Sequence, residues 1–328
     1  MSSIPGVSSE ERNPYKFTLG INFTRPRIDN SLTRKFLSSP IEKFVDAGVS
    51  AFDTADSYGY RNEIIGTFVK GRLRERYQII SKTFFPFPGS AVEDGKLSNK
   101  NIKVSIDYSL KALKTDYIDV LLAHRFDEKT DLLETITALN SEIMKGRILN
   151  WGFSEWTMED IRKTLKICRD NNLRKPVMNQ VQSNLLWRVS NHGILPFCKK
   201  ENIQVLAWSP LAQGLSVGAY QEVGNYHSKS RMAKNKTPFL SYFENQELFE
   251  ELYRFRSKHS LTTSEMAELS YFWLLERVGY DGVVFNSNTY AKPGQKNGID
   301  SLSDELASIT EKFAINSEFW VGKDSPND

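Results

Sequence analysis

The run SAFDTADSYG (50–59), followed by YQIISK (77–82) and DVLLAH (119–124), sets the reading of this chain. Each is a short, nearly continuous apolar stretch that ends on a polar residue: Asp53 with Tyr58 five positions later, then Lys82, then His124. Runs of this kind suit parallel strands covered on both faces, which show little alternation of polar and apolar positions. A carboxylate, a phenol, an amine and an imidazole at comparable places in successive units point to one site. In a parallel sheet closed into a barrel, the strand ends of one face converge, so groups distant in sequence meet there.

The pattern continues outward. FTLGIN (17–22), ILNWGFS (148–154), VMNQVQ (177–182), QVLAWS (204–209) and DGVVFNS (281–287) complete a set of eight candidate strands. Amphipathic stretches lie between most of them. In 98–115, Ile102, Ile106, Leu110 and Leu113 share one helical face behind Ser98 as N-cap. In 130–146, Leu132, Ile136, Leu139 and Ile143 do the same, and Gly146 is a natural stop. A third helix carries Ile161, Leu165 and Cys168. Strands alternating with helices give an α/β fold, a single (β/α)8 barrel over residues 1–328. The rival, an open doubly wound sheet, calls for a G-x-G-x-x-G turn after an early strand, and the sequence has none.

One interval breaks the rhythm. Strand seven ends near Ser209 and strand eight begins only at Asp281, which places a long insertion between them. It holds a polar, basic stretch, NYHSKSRMAKNKTP (225–238), and then two helical patterns. Structureless segments of such length are usually functional or disordered. The expected layout is a flexible N-terminus (1–14), a long loop (210–243) and a C-terminal tail (315–328).

Composition bounds the function. The chain has 328 residues, 25% charged and 40% hydrophobic, an ordinary globular balance able to bury a large core. A formal charge of +3 is too small to argue for nucleic acid or an anionic membrane surface. Cys168 and Cys198 have no metal-ligand spacing and form no disulfide framework, which suits a reducing compartment. The N-terminus carries charge where a signal peptide needs an apolar core, and no run of 18 or more apolar residues occurs. A cytoplasmic protein without membrane insertion is expected, its oligomeric state left open.

The four residues suit one chemistry in particular. A carbonyl accepting a hydride develops negative charge on oxygen and needs a proton donor beside it. A free phenol has a pKa of about 10, so it needs a neighbouring cation to release its proton near neutrality. Lys82 can be that cation, Asp53 can hold Lys82, and His124 can orient the carbonyl oxygen. Each residue alone has a plainer reading: Asp53 as a helix cap, Lys82 as a solvated charge, Tyr58 as a turn aromatic, His124 as a core histidine. A metal-dependent hydrolase built on Asp53, Asp56 and His124 is a further alternative, with poor ligand spacing and no second histidine.

FDTADSYG (52–59), SK (81–82) and AH (123–124) together resemble the aldo-keto reductase superfamily of (β/α)8 barrels. The stretch 97–127, then WGFSEW (151–156), NQVQSN (179–184) and AWSPLAQG (207–214), is most similar to the branch that contains potassium-channel β-subunits and their bacterial reductase relatives. The resemblance covers roughly 17–218 and returns over 261–287. It implies an NADPH-dependent reduction of an aldehyde or ketone, with Tyr58 as proton donor, Lys82 and Asp53 as its tuning pair and His124 orienting the carbonyl. It also permits a cofactor-binding regulatory subunit with little turnover. Ser154 and Gln180 would hold the nicotinamide carboxamide and Trp208 would stack on the ring. The loop from Ser209 through Leu211 to Gly214 would wrap the pyrophosphate. Phe23, Phe84, Phe85 and Trp156 follow strand ends and suit an aromatic substrate pocket and the core equally well.

The chain also departs from the family pattern. Glu155 stands where many relatives have Asn or Arg, and Ala219 where channel-subunit relatives have a lysine. The C-terminal cofactor motif is not recognisable in 286–302, where Ser287, Gln295 and Asn297 are its candidate remnants. Arg231 is the candidate contact for the adenosine 2′-phosphate.

Overall fold

The computed structural model describes residues 17–20, 41–87, 96–220, 222–226, 244–286 and 297–316. Eight strands follow in chain order: β1 (Phe17–Gly20), β2 (Ala51–Asp53), β3 (Gln78–Thr83), β4 (Ile118–Ala123), β5 (Ile148–Ser154), β6 (Met178–Gln182), β7 (Gln204–Trp208) and β8 (Gly282–Asn286). They are arranged in sequence order as a closed barrel, and each registered neighbour pair is parallel. This is the (β/α)8 barrel expected from the alternation of strands and helices.

The strand cores explain why alternation is absent from the sequence. Val120, Leu121, Leu122 and Ala123 of β4 are all buried, so side chains pointing both ways leave water. Phe52, Ile79, Ile80, Trp151 and Phe153 are likewise buried in β2, β3 and β5. Runs covered on both faces gain from apolar residues at every position.

The helices are α1 (41–46), α2 (Tyr60–Val69), α3 (Asn99–Leu113), α4 (Leu132–Met144), α5 (Met158–Asp170), α6 (Ile194–Lys200), α7 (Gln246–Lys258), α8 (Thr263–Phe272) and α9 (Ile299–Glu311). Ser98 caps α3 by accepting from the Asn101 N–H at 3.4 Å, as its position suggested. Asp131 caps α4 and Thr157 forms a capping box with Asp160 on α5, two helix starts that the apolar periodicity alone did not mark. Gly146 ends the α4 segment with φ +72°, a conformation that glycine adopts without strain. No described helix is long and apolar enough to cross a membrane.

The chain forms two compact units. The first comprises Met1–Gln180 with Asn202–Gln204, and the second Val181–Glu201 with Val205–Asp328. In the second, the interval between β7 and β8 holds a 3-10 segment (Ala212–Val217), α7, α8 and a π-helical turn (Trp273–Val278). The two helical patterns read in the insertion are thus α7 and α8. Ile315, where the C-terminal tail (315–328) was placed to begin, is tied to the second unit: its N–H donates to Leu186 O and its carbonyl accepts from the Arg188 N–H, both at 2.9 Å. Arg188 itself lies over the Trp273 ring and pairs with Glu311.

Gly152 shows how tightly the first unit is built. A Cβ there would lie 2.2 Å from Met178 O and 2.7 Å from Leu122 Cδ2, one a backbone atom of the adjacent strand. Gly152→Ala should therefore destabilise the fold by about 3 kcal/mol, the upper end for overpacking. Urea unfolding measures it, and a change below about 0.5 kcal/mol would mean that the strands part easily here.

Candidate active site

Asp53, Lys82, Ser154 and Gln180 stand at or near the C-terminal ends of β2, β3, β5 and β6, and His124 directly follows β4. Because the strands are parallel, these ends lie on one side of the sheet, within the first unit. Tyr58 closes a single 3-10 turn, Asp56–Tyr58, just after β2.

The centre is an ion pair. Lys82 Nζ donates to Asp53 Oδ1 at 2.6 Å and to the Thr54 carbonyl at 2.9 Å. Lys82 is 1% exposed, so it is no solvated surface charge, and Asp53 caps no helix. Burial opposes the Lys82 charge, but the Asp53 carboxylate and the neighbouring Tyr58 outweigh it, and the ammonium holds its proton more firmly than an ordinary lysine. The second carboxylate oxygen, Oδ2, accepts from Gln180 Nε2 at 2.8 Å. This bond was not read from the sequence, where Gln180 had only a carboxamide role. An ionised carboxylate only accepts, so the bond fixes which end of the Gln180 amide faces Asp53 and leaves Oε1 as an acceptor elsewhere.

Tyr58 and His124 complete the set. The Lys82 ammonium lies 5.3 Å from the Tyr58 ring centroid. The Tyr58 and His124 rings meet edge-to-face at 6.1 Å. His124 is held well below the usual histidine value, first by burial and then by the positive charges of Lys82 and Arg125. It is therefore a neutral imidazole near pH 7, and its buried Nδ1 has no hydrogen-bond partner among the described residues.

The aromatic residues divide. Phe84 and Phe85 are half-buried and meet at 5.1 Å, with Phe85 edge-on to His124 at 4.9 Å. Arg125 and Lys96 lie over these rings. Trp156 is different: fully buried, it stacks on Phe153 and meets Phe126 edge-on, so it belongs to the core and not to a pocket wall. Phe23 lies outside the described residues.

Of the cofactor candidates, Ser154 is buried and is the register partner of Gln180. Glu155 beside it takes φ +58°, a strained value for a residue with a side chain, and its N–H donates to Gln180 O at 3.3 Å. In the second unit Trp208 ends β7 and is half-buried. The loop after it has positive φ at Ser209, Ala212, Gln213 and Gly214. Within it, Ser209 O accepts from Ala212, while Leu211 O accepts from Gly214 and Ser216. Those N–H groups are committed to the loop's own turns in this conformation. Ala219 is exposed. Arg231, Ser287 and Gln295 lie outside the described residues, as does most of the 225–238 stretch; Asn297 is described, just ahead of α9.

The metal-hydrolase alternative finds little support. Asp53 binds Lys82 and Gln180, while Asp56 accepts from the Ser57 N–H and the Ser105 hydroxyl. Among the described residues no group of three or more His, Cys, Asp or Glu is arranged to hold a metal ion.

Asp56, fully buried, is the most perturbed carboxyl near the site. Burial pushes it up to about 6, against the pull of Ser105, Ser57, Thr83 and the Lys82 charge. A carboxyl that binds its proton more tightly when folded contributes stability that is complete below its unfolded value of about 4. That contribution is lost as pH rises through about 6. The gap of about two units corresponds to about 3 kcal/mol. Asp56→Asn should flatten the stability profile across that window in urea unfolding, and an unchanged slope would assign the pH dependence to another group.

Comparison with known proteins follows the same lines. The Aldo/keto reductase family profile matches residues 20–297. A protein of Oryza sativa subsp. japonica named "Probable voltage-gated potassium channel subunit beta" is 33% identical over 207 residues, 62% of this chain and 63% of that protein. One of the same name from Arabidopsis thaliana is 34% identical over 207 residues, again 62% of this chain and 63% of the relative. The chain thus matches less than two thirds of the length of these relatives. With the parallel barrel, the strand-end tetrad and a profile match over most of its length, the chain belongs to the aldo/keto reductase family.

Proposed function

We propose that this chain reduces an aldehyde or ketone to the alcohol, with NADPH as cofactor and Tyr58 as proton donor. The observation that carries the reading is the buried Lys82–Asp53 pair beside Tyr58 and a neutral His124. NADPH, when bound, supplies the hydride that the carbonyl carbon accepts.

The residues present fit such a group. Ser154 and Gln180 are adjacent across β5 and β6, and with Nε2 given to Asp53 the glutamine keeps Oε1 as an acceptor. A hydroxyl and an amide oxygen side by side match the two hydrogen-bonding ends of a carboxamide. In the second unit, Trp208 offers an aromatic face, and the Ser209–Gly214 loop holds strained backbone of the sort found at ligand clamps. Arg231 and Ser287 remain candidates for the adenosine end. A basic residue there adds a charge-assisted contact of about 1.5–3 kcal/mol to the 2′-phosphate.

The protein's own groups then do the following. His124, neutral, donates one ring N–H to the substrate oxygen and orients it. Tyr58 releases its phenolic proton to that oxygen as negative charge develops there. Lys82 stabilises the phenolate left behind, because Asp53 and the Thr54 carbonyl hold the ammonium in place without removing its charge. Water later returns a proton to Tyr58. Phe84 and Phe85, beside His124, give an aromatic wall suited to an apolar carbonyl substrate.

A second reading, a cofactor-binding regulatory subunit with little turnover, is favoured by the names of the relatives. One experiment separates the two. Tyr58→Phe should lower single-turnover aldehyde reduction by about 10²- to 10⁴-fold at neutral pH while NADPH affinity, followed by tryptophan fluorescence, changes by less than about twofold. Equal turnover in both proteins would remove Tyr58 from the mechanism. Tight NADPH binding with no turnover on a broad aldehyde panel would favour the regulatory reading.

A further inference from the structure

Asp56 adjoins the catalytic set without a part in the chemistry described. Its Oδ1 accepts the Ser57 N–H at 2.6 Å and its Oδ2 accepts the Ser105 hydroxyl, on α3, at 2.7 Å. One carboxylate thus ties the turn that carries Tyr58 to a helix, α3. On the other flank of the turn, Thr54 Oγ1 donates to Asn62 Oδ1 and Asn62 Nδ2 donates to the Ala55 carbonyl, both at 2.8 Å. The backbone bond of Tyr58 itself, to the Ala55 carbonyl at 3.0 Å, is local to the turn.

We infer that Asp56 is a positioning residue for the proton donor: as an ionised acceptor of the Ser57 N–H and the Ser105 hydroxyl, it sets where the Tyr58 ring stands relative to Lys82 and His124. This rests on the reductase reading of Tyr58. The residue is fully buried, so its bonds do not compete with water. The groups that face it are Lys82 from β3, whose charge favours the carboxylate, and Tyr108 from α3, held neutral by burial and by Glu63 and Asp56. Protonation removes the charge from both bonds, and charge-assisted bonds are about twice as strong as neutral ones. Above the point, at about 6, where Asp56 ionises, these bonds become charge-assisted, while the fold as a whole loses the stability that the protonated form contributed.

The test uses the full chain, with NADPH and 4-nitrobenzaldehyde as probes. Ser105 touches neither substrate nor cofactor candidates, so Ser105→Ala loosens Asp56 from a distance. It should lower kcat by about tenfold while KM and NADPH affinity stay within about twofold. In Asp56→Asn the neutral side chain mimics the protonated acid. The ratio of native to variant kcat should be near one at about pH 5 and rise to about tenfold by about pH 8, with its midpoint near 6. A ratio flat across this range, or an unchanged kcat in Ser105→Ala, overturns the inference. A merely structural role would lower thermal stability without moving the ratio. Should the native chain reduce no aldehyde, the reductase reading falls, and 3-fluorotyrosine at position 58 still decides the role of Asp56. A fluorine resonance that titrates near pH 6 in the native background and not in Asp56→Asn supports it, and identical titrations overturn it.

Discussion

The Lys82–Asp53 pair is the constraint on which the site depends. An ammonium and a carboxylate this deeply buried each lose several kcal/mol of hydration, and their attraction offsets that loss only with good geometry and no idle lone pairs. The structure meets both conditions. The contact is 2.6 Å, the ammonium has a second acceptor in the Thr54 carbonyl, and the other carboxylate oxygen is taken by Gln180. Three strands therefore supply one network: Asp53 from β2, Lys82 from β3 and Gln180 from β6. Removing Asp53 or Lys82 leaves a buried charge uncompensated, and removing Gln180 leaves a buried carboxylate oxygen without its donor.

That network also sets the electrostatics of its neighbours. Lys82 stays charged while His124, one strand away, is kept neutral by burial and by the same ammonium. The two groups consequently have different tasks: one stabilises negative charge and the other donates a hydrogen bond without carrying charge. Opposed perturbations of adjacent titratable groups are how a site separates such tasks at one pH. Gln180 extends the network toward the position proposed for the carboxamide, so the amide that would hold the cofactor also holds Asp53.

Much of this was legible beforehand for a simple reason. Strands covered on both faces must be apolar throughout, so a polar residue that closes such a run stands out, and Asp53, Lys82 and His124 each did so. Helix stops were legible where a residue type is nearly obligatory, as at Gly146. Trp156, whose place after a strand end resembles that of Phe84 and Phe85, suited pocket wall and core equally. Only packing against Phe153 and Phe126 shows it to be core. Asp56 was weighed only as a metal ligand, since nothing local announces that Ser105, 49 positions away, will donate to it.

The sequence by itself determined the order of strands and helices and the closed parallel arrangement, and it marked Asp53, Tyr58, Lys82 and His124 as candidates. These follow from periodicity and from residue types at element ends, which are local properties. Tertiary structure alone decided which oxygen of Asp53 faces which donor, that Lys82 keeps its charge while His124 loses its own, and that Asp56 ties the Tyr58 turn to α3. Hydrogen-bond direction and charge state depend on distances of a few ångströms between strands and on the water excluded around them. Those quantities exist only once the barrel has closed.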